Sequence, residues 1–201
     1  MENLKQSRLY KTLCDFKGAN GNIDNLPAEF EKIAKAAFYT GYFIINKGEE
    51  FEYKIRITDI EFYYHEDDGI QDPRKLLRGK ECFFYEVGSL CPHRYGVDIL
   101  FDDVEDHSYH ASFLIREFEV CENGKTEIEK HPQYIWEYLF GGANMLRDGK
   151  FAIEWHDENS DSEDYQTLPI QPTKKREFSR KAEQVGDDRL WRYSATKINR
   201  K

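Results

Sequence analysis

Glu61, Tyr63 and Arg116 are the residues whose types and settings first suggest chemistry. From Phe51 onward, Phe51, Tyr53, Ile55 and Ile57 alternate with Glu52, Lys54, Arg56 and Thr58, the two-residue period of a strand with one face in a core. Continued without a break, the apolar face next presents Asp59, Glu61 and Tyr63. An unpaired buried carboxylate is costly. Either a bulge near Thr58 turns Ile60 and Phe62 inward, or the acids line a pocket in the buried face. Both are irregularities of the kind that gather at functional sites, and structural ion pairs leave the same mark. Arg116 sits among Phe113, Leu114, Ile115 and Phe118, where a guanidinium needs an anion. Pairing with Glu61 would hold that carboxylate ionised and aimed, as a base activating water requires. The plain alternative is an edge salt bridge of little energy.

Other polar groups carry less. His107 and His110, near Asp102, Asp103 and Asp106, form an i, i+3 pair at a strand entrance that does not converge on a metal unaided, so no metal site is expected. Asp98, inside the apolar run YGVDILF, reads as a pocket acid or as a residue bonded to backbone amides; His93 reads as a pocket donor or as a solvent-facing turn residue. There is no phosphate-binding loop, dinucleotide fingerprint or nucleophile elbow, and no cofactor is expected. Cys14, Cys82, Cys91 and Cys121 are widely spaced with no CxxC pair, which argues against a zinc knuckle or dense disulfide framework and for reduced thiols.

The elements that must position these groups are legible as patterns. Asp24 or Asn25 can cap a helix with Pro27 in its first turn and Phe30, Ile33, Ala34 and Ala37 on one face, closed by Gly41. YFIIN, a turn at 47–50 and the run from Phe51 to Tyr63 read as a β-hairpin. CFFYEV, YGVDILF and YHASFLIREFEV are further strands, separated by Gly88-Ser89 and by Asp102-Asp103. A second helix starts at Pro132, with Tyr134, Ile135, Tyr138 and Leu139 on its apolar face, and ends at Gly141-Gly142. FAIEWH is a short strand, HDENSDSED an exposed mobile loop, and LWRYSATKI closes the sheet. Trp136, Trp155 and Trp191 are expected in the core.

Composition sets the frame. With 201 residues and 15% aromatics, the expectation is a single α+β domain over 1–201, a curved, mainly antiparallel sheet with flanking helices. Within it, 1–40 is an N-terminal helical extension, 156–172 the acidic loop and 173–201 a basic segment. The net charge of −9 opposes binding nucleic acid through the bulk field. Its distribution is uneven: 151–172 holds six acids and no Lys or Arg, whereas 173–201 holds ten Lys and Arg against four acids, a local net of +6. Lys174, Lys175, Arg176, Arg180 and Lys181 are therefore the candidate phosphate contacts, with a merely solvated tail as the bland reading. No apolar run reaches the roughly 18 residues of a membrane span, and the start lacks a signal-peptide core. A cytoplasmic monomer without membrane attachment is expected.

Several of these pieces together resemble the alkyladenine (3-methyladenine) DNA glycosylases. Ile57-Thr58-Asp59-Ile60-Glu61-Phe62-Tyr63 is similar to that family's I-x-E-x-E-A-Y strand. Gly88-Ser89-Leu90 with Tyr95-Gly96 is similar to its G-T-L-Y-V-Y-x-x-Y-G segment. Ala111 to Arg116 resembles its A-V-L-I-R strand, and Leu190-Trp191-Arg192-Tyr193 its P-W-R-F-Y strand. The ordered set spans roughly residues 40 to 197. The resemblance implies a base-excision glycosylase acting on duplex DNA with a damaged base. Glu61 would activate the attacking water, Arg116 would accompany it, Tyr63 and His93 would line the pocket, and Tyr95 would fill the vacated stack. The sequence departs from the family where Arg74-Lys75 follows Asp72-Pro73 in place of a histidine, and where Cys91 and His93 replace pocket tyrosines, so the implied specificity differs. A non-catalytic nucleobase, nucleotide or nucleic-acid binding module is the alternative. A protein-interaction domain docking a basic partner on its acidic loop is a second.

Overall fold

A computed structural model describes residues 7–46, 52–72, 86–141, 152–158, 165–176 and 188–196. Two helices open the chain. α1 (Arg8–Asp15) is capped by Ser7, whose side chain accepts from the Tyr10 amide, and it buries Leu9 and Leu13. This short helix has only those two apolar anchors one turn apart, too brief a period to stand out in the sequence. α2 (Leu26–Tyr39) follows a 3-10 turn at Ile23–Asn25. Asn25 occupies its N-cap position without a side-chain bond, and Asn22 caps the preceding turn instead. The expected face of Phe30, Ile33, Ala34 and Ala37 is fully buried.

The strands are β1 (Gly41–Asn46), β2 (Glu52–His65), β3 (Leu90–His93), β4 (Gly96–Leu100), β5 (His110–Glu122), β6 (Lys125–Glu129), β7 (Ala152–Asp157) and β8 (Arg192–Ser194). A 3-10 turn at Pro132–Tyr134 leads into α3 (Ile135–Phe140), which the Gly141 amide caps by donating to the Glu137 and Trp136 carbonyls. The fold is α+β, built on one antiparallel sheet in the order β3-β4-β5-β2-β1-β7, with β6 added to β5 and β8 to β2. β1 covers the first half of one edge of β2, Phe43 opposite Ile55, and β8 covers the second half, Glu61 opposite Arg192. β5 runs along the other edge for its whole length. Asn123 and Gly124, both at positive φ, form the two-residue turn between β5 and β6, the geometry such hairpins need. KTEIE carries too few apolar residues to be read as a strand, and its pairing with β5 alone makes it one.

The core lies against one face of this sheet, under α1, α2 and α3. Phe30 of α2 stacks on Phe62 of β2 with ring centroids 4.2 Å apart, a contact worth about 1 kcal/mol beyond its burial. Trp155 and Trp191 are in this core as expected, but Trp136 is 38% exposed and donates its indole N–H to the His93 carbonyl at 2.9 Å. The strand expected at CFFYEV lies outside the described residues except for Glu86 and Val87, which stand in a turn. Residues 159–164 of the expected acidic loop and the whole expected turn at 47–50 are also outside them. No described helix is long and apolar enough to cross a membrane.

Candidate functional site

Of the two outcomes open along β2, the chain takes the bulge and still buries the acids. The pairing of β2 with β5 slips between Ile57 and Asp59 and is restored before Ile60, so that Ile57 lies opposite Phe118 and Ile60 opposite Ile115, core positions three residues apart on each strand. Both strands change parity there. Ile60, Phe62 and Tyr64 turn into the core beside Phe113 and Ile115. Asp59, Glu61 and Tyr63 move to the opposite face, where they are 1%, 0% and 1% exposed. A strand buried on both sides cannot alternate polar and apolar cleanly, which is why the pattern broke at Thr58.

Glu61 is held from two directions. The Tyr63 hydroxyl donates to its Oε1, and Arg116 Nη1 lies 3.8 Å from its Oε2. The expected pairing of Glu61 with Arg116 is therefore present, with a tyrosine as the closer partner. Asp59, one pleat away, accepts from Arg192 Nε at 2.7 Å and from the Ser194 hydroxyl. Burial nevertheless pushes its carboxyl up, against the lowering by Arg192 and Ser194. Here the short contacts and the direction of the shift pull opposite ways. Full burial of a carboxylate on a closed sheet face makes desolvation the larger effect.

A second cluster seals the end of β2. Arg176 donates to Asp72 at 2.7 and 3.3 Å and to the Phe62 carbonyl at 3.2 Å. Its guanidinium lies 5.2 Å from the Tyr63 ring and 5.1 Å from that of Trp191. Arg189 reaches over the other part of Trp191 at 4.7 Å and donates to the Gln71 carbonyl at 2.7 Å. Burial pulls the Arg189 guanidinium down, and the Asp72 charge counters it. Arg176 is 2% exposed, so it is an internal strut and not the phosphate contact that its basic neighbourhood suggested. A guanidinium in that run found a buried carboxylate 104 residues earlier in the chain, which local charge counting does not reveal. Lys174 and Lys175 remain at the surface, Lys175 paired with Asp188 and Lys174 bonded to the Ser194 hydroxyl at 3.1 Å. Arg180 and Lys181 lie outside the described residues.

β3 and β4 form a hairpin whose two-residue turn is Arg94-Tyr95, with His93 opposite Gly96. Gly96 is needed there because a Cβ would meet the Pro132 carbonyl at 2.8 Å and the Leu114 side chain at 2.9 Å. Arg94 lies over the Tyr95 ring, 4.4 Å from its centroid. His93 is a buried donor and not a solvent-facing turn residue. The Tyr95 amide donates to its Nδ1 at 3.2 Å, which places the ring proton on Nε2, 2.9 Å from Asp98 Oδ1. The Ser112 hydroxyl donates to Asp98 Oδ2, also at 2.9 Å. Asp98 thus answers to the side chains of His93 and Ser112. The register puts Arg192, Glu61, Leu114, Asp98 and Cys91 in one row across five strands. The His93–Asp98–Ser112 chain and the Glu61 cluster consequently share a sheet face. The sequence signal for this was Asp98 and Ser112 each interrupting an otherwise apolar run.

Cys91 is disulfide-bonded, whereas Cys14 and Cys121 are free thiols. This corrects the expectation of reduced thiols throughout; spacing along the chain says nothing of cysteines that folding brings together. His110 Nδ1 contacts Asp102 at 3.4 Å, and Asp103 is consumed by the amides of Glu105, Asp106 and Ser108 and by the Ser108 hydroxyl, which lowers its carboxyl. Among the described residues no three His, Cys, Asp or Glu side chains are grouped to hold a metal.

Comparison of the chain with family models, with curated proteins and with solved structures found no match.

Proposed function

We propose that this domain is a glycosylase-like protein that hydrolyses an N-glycosidic bond in duplex DNA, with Glu61 as the group that orients water. The observation that carries the reading is the convergence of Glu61, Tyr63 and Arg116, from β2 and β5, on the sheet face that also bears His93 below the Arg94-Tyr95 hairpin tip. A carboxylate oriented by a hydroxyl and a guanidinium suits a general base. An aromatic ring at a two-residue turn beside an exposed arginine suits a wedge entering a base stack, with Arg94 near the phosphates. The glycosylase-like fold belongs to this same proposal. The test is release of free base from alkylated or deaminated duplex DNA. Wild type releases base, Glu61→Gln does not, and Tyr95→Ala loses affinity for the duplex. Release by Glu61→Gln at the wild-type rate removes Glu61 from the chemistry.

A second reading is favoured by one observation: the Tyr63 ring is buried with the Arg176 guanidinium against it, so a base reaching Glu61 must displace a strut. On this reading the same face binds a nucleobase or nucleotide without cleaving it. A duplex carrying 2-aminopurine separates the two. Fluorescence rise on binding with no base released, unchanged in Glu61→Gln, selects the binding module; release selects the enzyme.

A further inference from the structure

On the other side of the sheet, where α1 lies across the core face, a concavity of about 340 Å³ opens. It is lined from both ends of the strand order: Phe43 and Trp155 come from β1 and β7, and Leu90 and Ile99 from β3 and β4. Strands that far apart in a sheet line one hollow only because the sheet curls on itself, and the mouth of such a curl is a common place for a small ligand. α1 contributes Leu9 and Leu13 as a roof.

The walls are apolar and aromatic, and the polar groups gather at the rim. Tyr10 and Glu86 are among them. Cys14, one turn along α1, raises the Tyr10 phenol, and burial and the Glu86 charge add to it. Glu86, which is exposed, is the one acidic or basic side chain of the lining, and among the described residues no cation pairs with it. A hydrocarbon-lined hollow with a single carboxylate among its lining disfavours an anion and favours a cation beside that carboxylate.

We propose that this hollow is a binding site for a small amphipathic amine, its apolar body between α1 and Trp155 and its ammonium at Glu86 and Tyr10. The site lies on the opposite sheet face from Glu61 and is independent of the proposed glycosylase chemistry.

The experiment is calorimetric titration of the full chain at neutral pH with 4-phenylbutylamine and, separately, with 4-phenylbutyrate, which share a body and differ in charge. The amine binds and raises the melting temperature, while the carboxylate binds at least about tenfold more weakly. Glu86→Gln erases that preference, and Ile99→Phe, which fills the hollow, abolishes binding of both. Should Ile99→Phe fail to fold, Leu13→Phe fills the same space from the helix side. Equal affinity for the two probes, no binding of the amine, or amine binding that persists in a folded, filled variant overturns the proposal.

Discussion

The Tyr63 hydroxyl donates to the carboxylate of Glu61, two residues earlier on the same face of β2, in a site neither residue shares with bulk water. Neighbours at this spacing in a strand stand about 7 Å apart at Cα, so the bond is made by a long side chain reaching back along the pleat. It leaves Glu61 oriented by its own strand before Arg116 adds charge from β5.

Tyr63→Phe keeps the ring and deletes that donor. The expected loss is about 1–3 kcal/mol in urea denaturation, the cost of leaving a buried acceptor short of a partner. Stability equal to wild type means that the hydroxyl does not carry the contact.

Arg176 and Asp72 are an ion pair with both side chains at zero exposure. Removing one partner strands the other, so Arg176→Met is expected to cost about 3–5 kcal/mol, whereas the double variant with Asp72→Leu recovers much of it. A double-mutant cycle on the denaturation midpoints measures the coupling. Additive losses would mean that the two side chains act separately.

Asp59 has its folded carboxyl raised above the usual value of 3.8 by burial. A raised acid contributes its full stability below its unfolded pKa and loses it as pH rises through the folded one. Asp59→Asn, which never ionises, should therefore gain on wild type as pH is taken from about 4 to 7. Comparing midpoints at the two pH values decides it. Movement in the opposite direction would show that Arg192 and Ser194 outweigh burial.

Thiol titration of the denatured, unreduced chain should find Cys14 and Cys121 reactive and Cys91 silent until a reductant is added. Four reactive thiols before reduction would refute the bond.

The local pattern sufficed for much of this. Phe30, Ile33, Ala34 and Ala37 repeat at helical spacing and form the buried face of α2, because a helix's own period decides which residues can share a side. The alternation from Tyr53 to Ile57 identified β2, its break at Thr58 marked where the register shifts, and an arginine surrounded by Phe113, Leu114 and Ile115 announced a buried anion nearby.

The pairings between distant segments belong to the folded chain alone. A strand's sequence records which side each residue takes but not what will cover that side. The cover on the Glu61 face comes from the second half of the chain, with β8 placing Arg192 on Asp59 and residue 176 placing its guanidinium between Tyr63, Trp191 and Asp72. The same holds for His93, whose partners Asp98 and Ser112 are set by the registers of β3, β4 and β5. Charge and hydrogen bonding act through space, and neighbours in space are fixed by strand order and register, which only the folded chain possesses.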